Sequence, residues 1–349
     1  MQVGIQFFPD VGPDVTSARD YWQDALRLVG LVDCYGYSHV RTVEHYFHPY
    51  GGYSPNPIVF LAAAAQITRR ARLVTGAVLP AFNNPLKIAG ELAMLDALSD
   101  GRLDAGFARA FLPHEFSRFG VQLDESRARF DEGVEQVRLL LEQEDVTATG
   151  QFHSFSRVTS LPRPTQKPRP PFYVAALATP ESFERAGTAG YGVMAIPMAG
   201  GAMKELIATY REAYARAGHT GHPTVMLAFH MLCHERQEEA ERLAREPLNR
   251  YLRSLVDAAS DWTAGATSAD YPGYDKIIAA LARETFETQV EKCAAWVGTP
   301  ERILDAVATY RQQIGDFDAA SLQVNFNDLP VAAAETSMRL FGERVLPRL

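Results

Sequence analysis

Apolar and polar positions follow two rhythms along the chain. Val3, Ile5 and Phe7 alternate with Gly4 and Gln6, which predicts a strand that begins at once. Ser17 is placed to cap a helix running to about Gly36, with Trp22, Leu26, Val29 and Val32 at helical spacing. The two patterns then take turns. A short strand is predicted over 38–43, a helix opened by Pro57 over 58–70, a strand over 72–79, a helix over 85–98 and a strand over 102–108.

The second half keeps the alternation with longer decorations. It reads as a helix over 125–144, a small β insertion over 150–161, a proline-rich connector over 162–171 and a strand over 172–176. A helix starting at Pro180, a strand over 192–196, a helix over 202–217 and a strand over 224–233 follow, then another helix. Residues 258–275 carry Gly, Ser, Thr and Asp without periodicity, which suits a lid loop. Helices over 285–297 and 300–314, a strand over 320–326 and a last helix complete the chain.

Eight strands alternating with helices predict an α/β fold, a (β/α)8 TIM barrel with insertions after the fourth and seventh strands, as a single domain over 1–349. A doubly wound sheet would place a glycine-rich fingerprint after its first strand, where Phe8-Pro9-Asp10 stands instead. The 349 residues and the 47% hydrophobic content suit one large core. The 34 basic against 42 acidic residues give a net charge of −8, which argues against nucleic acid as a partner. Cys34, Cys233 and Cys293 lie far apart, without metal-type spacing. With no long apolar run and no basic leader at the start, the expectation is a cytoplasmic protein with reduced thiols and no membrane contact.

In a barrel the chemistry sits at the C-terminal ends of the strands. After the second strand come Glu44 and His45, followed by Tyr46, Phe47 and His48. An imidazole beside a carboxyl is an acid–base pair for near-neutral pH. The same run also admits a hydrogen-bonded structural histidine, or a metal site of His45 and His48 with Glu44, for which the only other nearby His-acid pair, His114-Glu115, offers neither a helix frame nor a third fixed ligand; no metal is expected. Arg109 follows the fourth strand among small residues, where its planar fork suits a phosphate or a plain surface ion pair. Thr179 precedes Pro180 and is either an ordinary N-cap or, with Ser182, part of a phosphate cradle on the next strand. Small residues from Thr75 through Gly76 and Ala77 let a flat ring lie against the backbone or simply pack in the core. The Phe7-Phe8 pair reads as core before it reads as a cofactor wall.

A longer pattern joins these residues. Leu79-Pro80, Asn84-Pro85, Leu95-Asp96, Leu98-Ser99, Gly101-Arg102, Arg109, Phe116, Arg118-Phe119-Gly120, Ser126-Arg127 and Val297-Gly298-Thr299-Pro300-Glu301 together make the chain resemble the bacterial luciferase-like flavin monooxygenases. It is most similar to the alpha-subunit type and to its natural-product-pathway branch. The resemblance implies FMN at the barrel mouth, with an active-site histidine at His45 preceded by Glu44. It places phosphate contacts on Arg109, Arg127, Thr179 and Ser182, and a non-proline cis peptide under the ring on or near Gly76-Ala77. It further implies reduced FMN from a separate flavin reductase, O2 chemistry through a C4a-(hydro)peroxyflavin, a small-molecule substrate, and a homodimer formed through the helices at 57–67 and 85–98. The chain departs from the luciferase at Ala108, where a reactive cysteine stands, at Ala178, where an acid stands, and around Met194–Pro197, where a tryptophan is missing. Alternatives are a deazaflavin (F420)-dependent oxidoreductase of the same superfamily and a catalytically silent, beta-subunit-like partner.

Overall fold

The computed structural model describes residues 1–198 and 200–349. Among them, eight parallel strands close into a ring: β1 (Gln2–Phe7), β2 (His39–Thr42), β3 (Arg72–Thr75), β4 (Leu103–Phe107), β5 (Phe172–Ala175), β6 (Gly192–Ala195), β7 (Val225–Cys233) and β8 (Ala319–Gln323). Closure comes from β1, which pairs with β2 on one side and β8 on the other, and from β7, which pairs with β6 and β8. The predicted barrel is therefore the observed one.

The elements with the strongest end signals fall where the sequence puts them. Asn84 and Thr299 accept hydrogen bonds from the amides of Leu86 and Arg302, each with proline at the first helical position, and start the helices Pro85–Leu98 and Pro300–Ile314. Ser17 caps Ala18–Val29 as predicted, but the helix breaks near Gly30 and resumes as Val32–Tyr35. The helix opened by Pro57 stops at Ile67, short of 70. There the Asp33 carboxylate takes the amides of Arg70 (3.2 Å) and Ala71 (3.0 Å) and turns the chain into β3.

Two expectations are corrected. The insertion after β4 is a hairpin of Val146–Thr149 with Ser154–Val158, so its first strand precedes 150; the turn between them hangs on the Glu132 carboxylate, which accepts from the amides of Gln151 and His153. The helix expected over 285–297 is only Phe286–Glu291, started by a reciprocal cap between Thr285 and Thr288. Residues Ala295–Gly298 form a further strand along the far end of β7, with Ala295 opposite His230 and Gly298 opposite Cys233. The cause is burial on all sides: Trp296 is fully buried and stacks on Phe229 at 4.3 Å. A short apolar run of that kind carries no period to separate helix from strand.

The main core lies between the ring and the helices. Ile5, Phe7, Val40, Leu73 and Phe107 are fully inaccessible there, each contributing roughly 1.5–3 kcal/mol by burial. A separate cluster of Val74, Ala77, Met194, Met226 and Ala319 occupies the barrel interior. Gln6, Arg41 and Gln323 are also buried, on the strands β1, β2 and β8. No helix among the described residues is long and apolar enough to cross a membrane.

Candidate active site

The strand ends surround a cavity of ≈ 230 Å³ whose wall includes His45, Gly76, Ala77, Arg109, Thr179 and Ser182. A second cavity of ≈ 560 Å³ adjoins it: Arg109 and Ser182 line both, and Arg127 lines the second. Every cofactor-binding residue expected from sequence thus faces one of two joined spaces.

The wall beside β3 is built of small residues. The Gly76–Ala77 peptide is cis, at the position expected. The strand β3 ends at Thr75 rather than at 79. A Cβ on Gly76 would lie 1.9 Å from Arg41 Nε, so only glycine fits over that guanidinium. Ala77, Ala108 and Ala175 continue the small-residue surface. Phe7 is core, as read from sequence, whereas Phe8 faces the cavity.

His45 lines the cavity and is almost buried. Its Nδ1 lies 3.1 Å from Glu115 Oε1, an oxygen that also accepts the Tyr46 amide at 2.8 Å. Nδ1 is thereby occupied, and Nε2 is the nitrogen left for a ligand. Glu115 is the functional residue that the sequence reading missed. It sits on the short helix Pro113–Phe119, seventy positions from its partner, and is fully buried. A buried carboxyl at the start of a helix was visible only as half of His114-Glu115.

Glu44 also lines the cavity, with its carboxyl bonded to groups other than His45. Its Oε1 accepts from Tyr46 Oη at 2.5 Å and Asn83 Nδ2 at 2.8 Å, and its Oε2 from the Leu79 amide at 3.1 Å. The carboxyl therefore ties the end of β2 to the turn after β3. Burial pushes its pKa up to about 7, against the pull of those three hydrogen bonds. His48 turns away to Asp257 (3.1 Å) and does not join His45.

The phosphate-type residues gather across the mouth: Arg109 after β4, Thr179 and Ser182 after β5, and Arg127 at the start of the helix Ser126–Glu142. Arg109 Nη1 donates to the Asp270 carbonyl at 2.9 Å, and the guanidinium lies 4.6 Å over the Tyr271 ring. Arg127 pairs with Glu181 at 3.2 Å and reaches Asp270 at 4.0 Å. The Asp270 carboxylate also accepts from Ser126 Oγ (3.1 Å) and the Arg127 amide (2.9 Å) at the start of the helix Ser126–Glu142. Thr179 precedes the helix Pro180–Thr188 but makes no side-chain cap, so its hydroxyl is not spent on the backbone amides as an ordinary N-cap would be. The aperiodic segment at 258–275 is the element that covers this side. Trp262 Nε1 donates to the Phe111 carbonyl (2.8 Å) and Tyr271 Oη to that of Ala110 (2.7 Å).

A closed barrel with a small-residue wall, a carboxylate-oriented histidine and two arginines near the β4–β5 rim has the parts needed to hold a planar ring joined to a phosphate. The chain belongs to the luciferase-like monooxygenase family, whose model matches residues 1–316. It is similar to the oxygenase component of flavin-dependent trigonelline monooxygenase from Acinetobacter baylyi, 32% identical over 237 residues, 67% of this chain but only 65% of that protein's length. Among solved structures it is similar to monooxygenase RslO1 from Streptomyces bottropensis, with 45% identity, a TM-score of 0.89 and coverage of 100% of this chain and 99% of that one. The fold alone is shared with the oxygenating constituent of 3,6-diketocamphane monooxygenase from Pseudomonas putida in complex with FMN, at 21% identity, a TM-score of 0.84 and coverage of 100% and 98%. It is likewise shared with an F420-dependent secondary alcohol dehydrogenase, at 17% identity, a TM-score of 0.75 and coverage of 99% and 98%.

Proposed function

We propose that this chain is the oxygenase of a two-component flavin monooxygenase. It takes reduced FMN from a separate reductase in the cytoplasm and uses O2 to oxidise a small organic substrate. The observation that carries the reading is the union, in joined cavities, of the Gly76–Ala77 wall, the His45–Glu115 pair and the arginines of the β4–β5 rim.

Arg109, Arg127, Thr179 and Ser182 hold the phosphate. The small residues from Gly76 to Ala77 receive the ring. When bound, reduced FMN supplies the electrons that activate O2. His45 moves a proton at Nε2, with Glu115 fixing the ring through Nδ1. Glu44 keeps the wall in register with β2. The 258–275 segment excludes water, which favours productive oxidation over release of hydrogen peroxide. The presence of His45 and both arginines at these cavities speaks against a silent partner subunit.

The test is turnover with chemically reduced FMN and isotopically labelled O2. Label in the product is expected; oxidation without label, or hydride transfer between substrate and F420 with no FMN present, would refute the reading.

A homodimer is part of the same proposal. In the small-residue run Ala62–Ala65, which would let another helix approach closely, Ala64 and Ala65 pack into this chain's own core and Ala63 is exposed. The apolar side chains turned outward on the two helices are Val59 (69% exposed) and Met94 (56%), with Ile67 and Leu98 beside them. Light scattering should report about twice 38.6 kDa, and Val59→Glu should shift the protein toward monomer; a wild-type monomer would refute the pairing.

A further inference from the structure

One buried charge has no part in the chemistry above. Arg41 on β2 is 9% exposed, and no carboxylate pairs with it among the described residues. Its Nη1 donates to Gln6 Oε1 at 2.5 Å and its Nη2 to the Gly76 carbonyl at 3.1 Å, while Nε has no partner. A guanidinium carries five N–H donors, so most of its capacity is unspent. Burial pulls its pKa down only to about 10, which leaves it cationic at neutral pH. A buried cation without a counter-charge is strongly destabilising unless an anion joins it in the working state.

The strand register extends this charge into a row. Gln6 stands opposite Arg41 on one side and Gln323 on the other, and Gln323 stands opposite His230. Gln323 Nε2 donates to the Phe8 carbonyl at 2.9 Å, but its Oε1 is buried without a partner. His230 Nε2 is also unpartnered, and burial holds that imidazole neutral, with its pKa lowered to about 3. Arg41, Gln6 and His230 line the cavity, and Phe8, Tyr50 and Tyr251 form an aromatic wall beside them. The row lies on β2, β1, β8 and β7, apart from the phosphate arginines that follow β4.

We propose that this row is the polar subsite for the substrate, and that Arg41 binds an ionised oxygen conjugated to the substrate's ring, as in an acidic phenol or enol. His230 Nε2, unpartnered on a residue that lines the cavity, bonds a neighbouring hydroxyl of the same molecule, and the aromatic wall receives the ring. This rests on the oxygenase reading of the cavity and adds the class of substrate. Reduced flavin carries similar chemistry, a negative charge spread over a ring, so the test separates the two sources.

The probe is 4-nitrophenol, whose absorbance reports its ionisation. It is titrated into the full chain with and without saturating oxidised FMN, and the dissociation constants of oxidised and reduced FMN are measured in parallel. The bound phenol should ionise at least about one pH unit below the free phenol. Arg41→Met should abolish that shift and weaken phenolate binding by at least about tenfold, with both FMN constants within about threefold of wild type. Arg41→Lys should keep the shift with weaker binding.

Wild-type protein that binds no 4-nitrophenol overturns the proposal, as does phenolate affinity unchanged in Arg41→Met. Loss of reduced-FMN affinity with phenolate binding intact assigns the anion to the flavin and overturns it too. Should Arg41→Met not fold, Arg41→Lys decides: a bound phenol that ionises as in free solution refutes the subsite. Phenolate read by Arg41 in a protein that binds no FMN would sink the cofactor reading and leave this one standing.

Discussion

The two sides of the barrel mouth use their charges differently. On the β2 side, His45, Glu115, Glu44, Tyr46 and Asn83 are locked together by hydrogen bonds that need no ligand. On the β4–β5 side, Arg109 and Arg127 are held by Asp270 and Glu181, groups that a phosphate would have to displace. The contrast teaches a division of labour. On the proposed roles, the proton-handling side would be organised in advance, whereas the anchoring side would exchange internal acceptors for a ligand's.

The sharpest break in that comparison is His45→Ala. If the locked side does chemistry and the other side does binding, the variant keeps FMN affinity while product formation falls by about 10²–10⁴-fold. Hydrogen peroxide then becomes the main oxygen product. Product formed per reduced FMN consumed, read beside a melting temperature, checks this; early melting with normal coupling would remove His45 from the mechanism.

Arg109→Ala should do the opposite. A charged hydrogen bond to phosphate is worth roughly 1.5–3 kcal/mol, so affinity for reduced FMN should drop by about tenfold or more in an anaerobic titration. Unchanged affinity would sink the phosphate assignment. A smaller effect of opposite sign is expected for Asp270→Asn, which keeps an acceptor for Ser126 but removes the competing charge. FMN should bind about two- to fivefold tighter, as suits one partly screened charge; weaker binding would mean that Asp270 organises the site instead of guarding it.

The least of the effects concerns Glu44 and pH. Its pKa stands near 7 in the folded protein against 4.5 ordinarily. The native state therefore holds a proton that the unfolded chain has lost between those values. Its contribution to stability is full below about pH 4.5 and disappears as pH rises to about 7. Melting temperature should fall less over that window in Glu44→Gln than in wild type. An identical slope in both would place the raised pKa elsewhere, Asp10 being the other buried carboxyl pushed up to about 7.

Legibility in sequence followed the range of the interactions. The helices at Pro85–Leu98 and Pro300–Ile314 were readable to the residue because their start signals, a capping side chain and a proline, are local. The strand Ala295–Gly298 was not, because only its contact with β7 makes it a strand. Among site residues, His45, Arg109, Arg127 and Thr179 stood out because strand ends and family motifs mark them. Glu115 and Arg41 did not. Glu115 meets His45 across seventy positions, and Arg41 is a polar residue inside a strand pattern, which reads as solvent-facing until the ring closes around it. Thr179 shows the reverse: two readings were open from sequence, and its missing cap contact is a fact of three dimensions.

The central claim is that the joined cavities are a reduced-FMN site. Anaerobic titration of the purified chain with reduced FMN and, separately, with reduced F420 tests it most directly. The account predicts saturable binding of one reduced FMN per chain, weakened in Arg109→Ala and retained in His45→Ala, with little affinity for F420. Saturable binding of F420 with none of reduced FMN would contradict it.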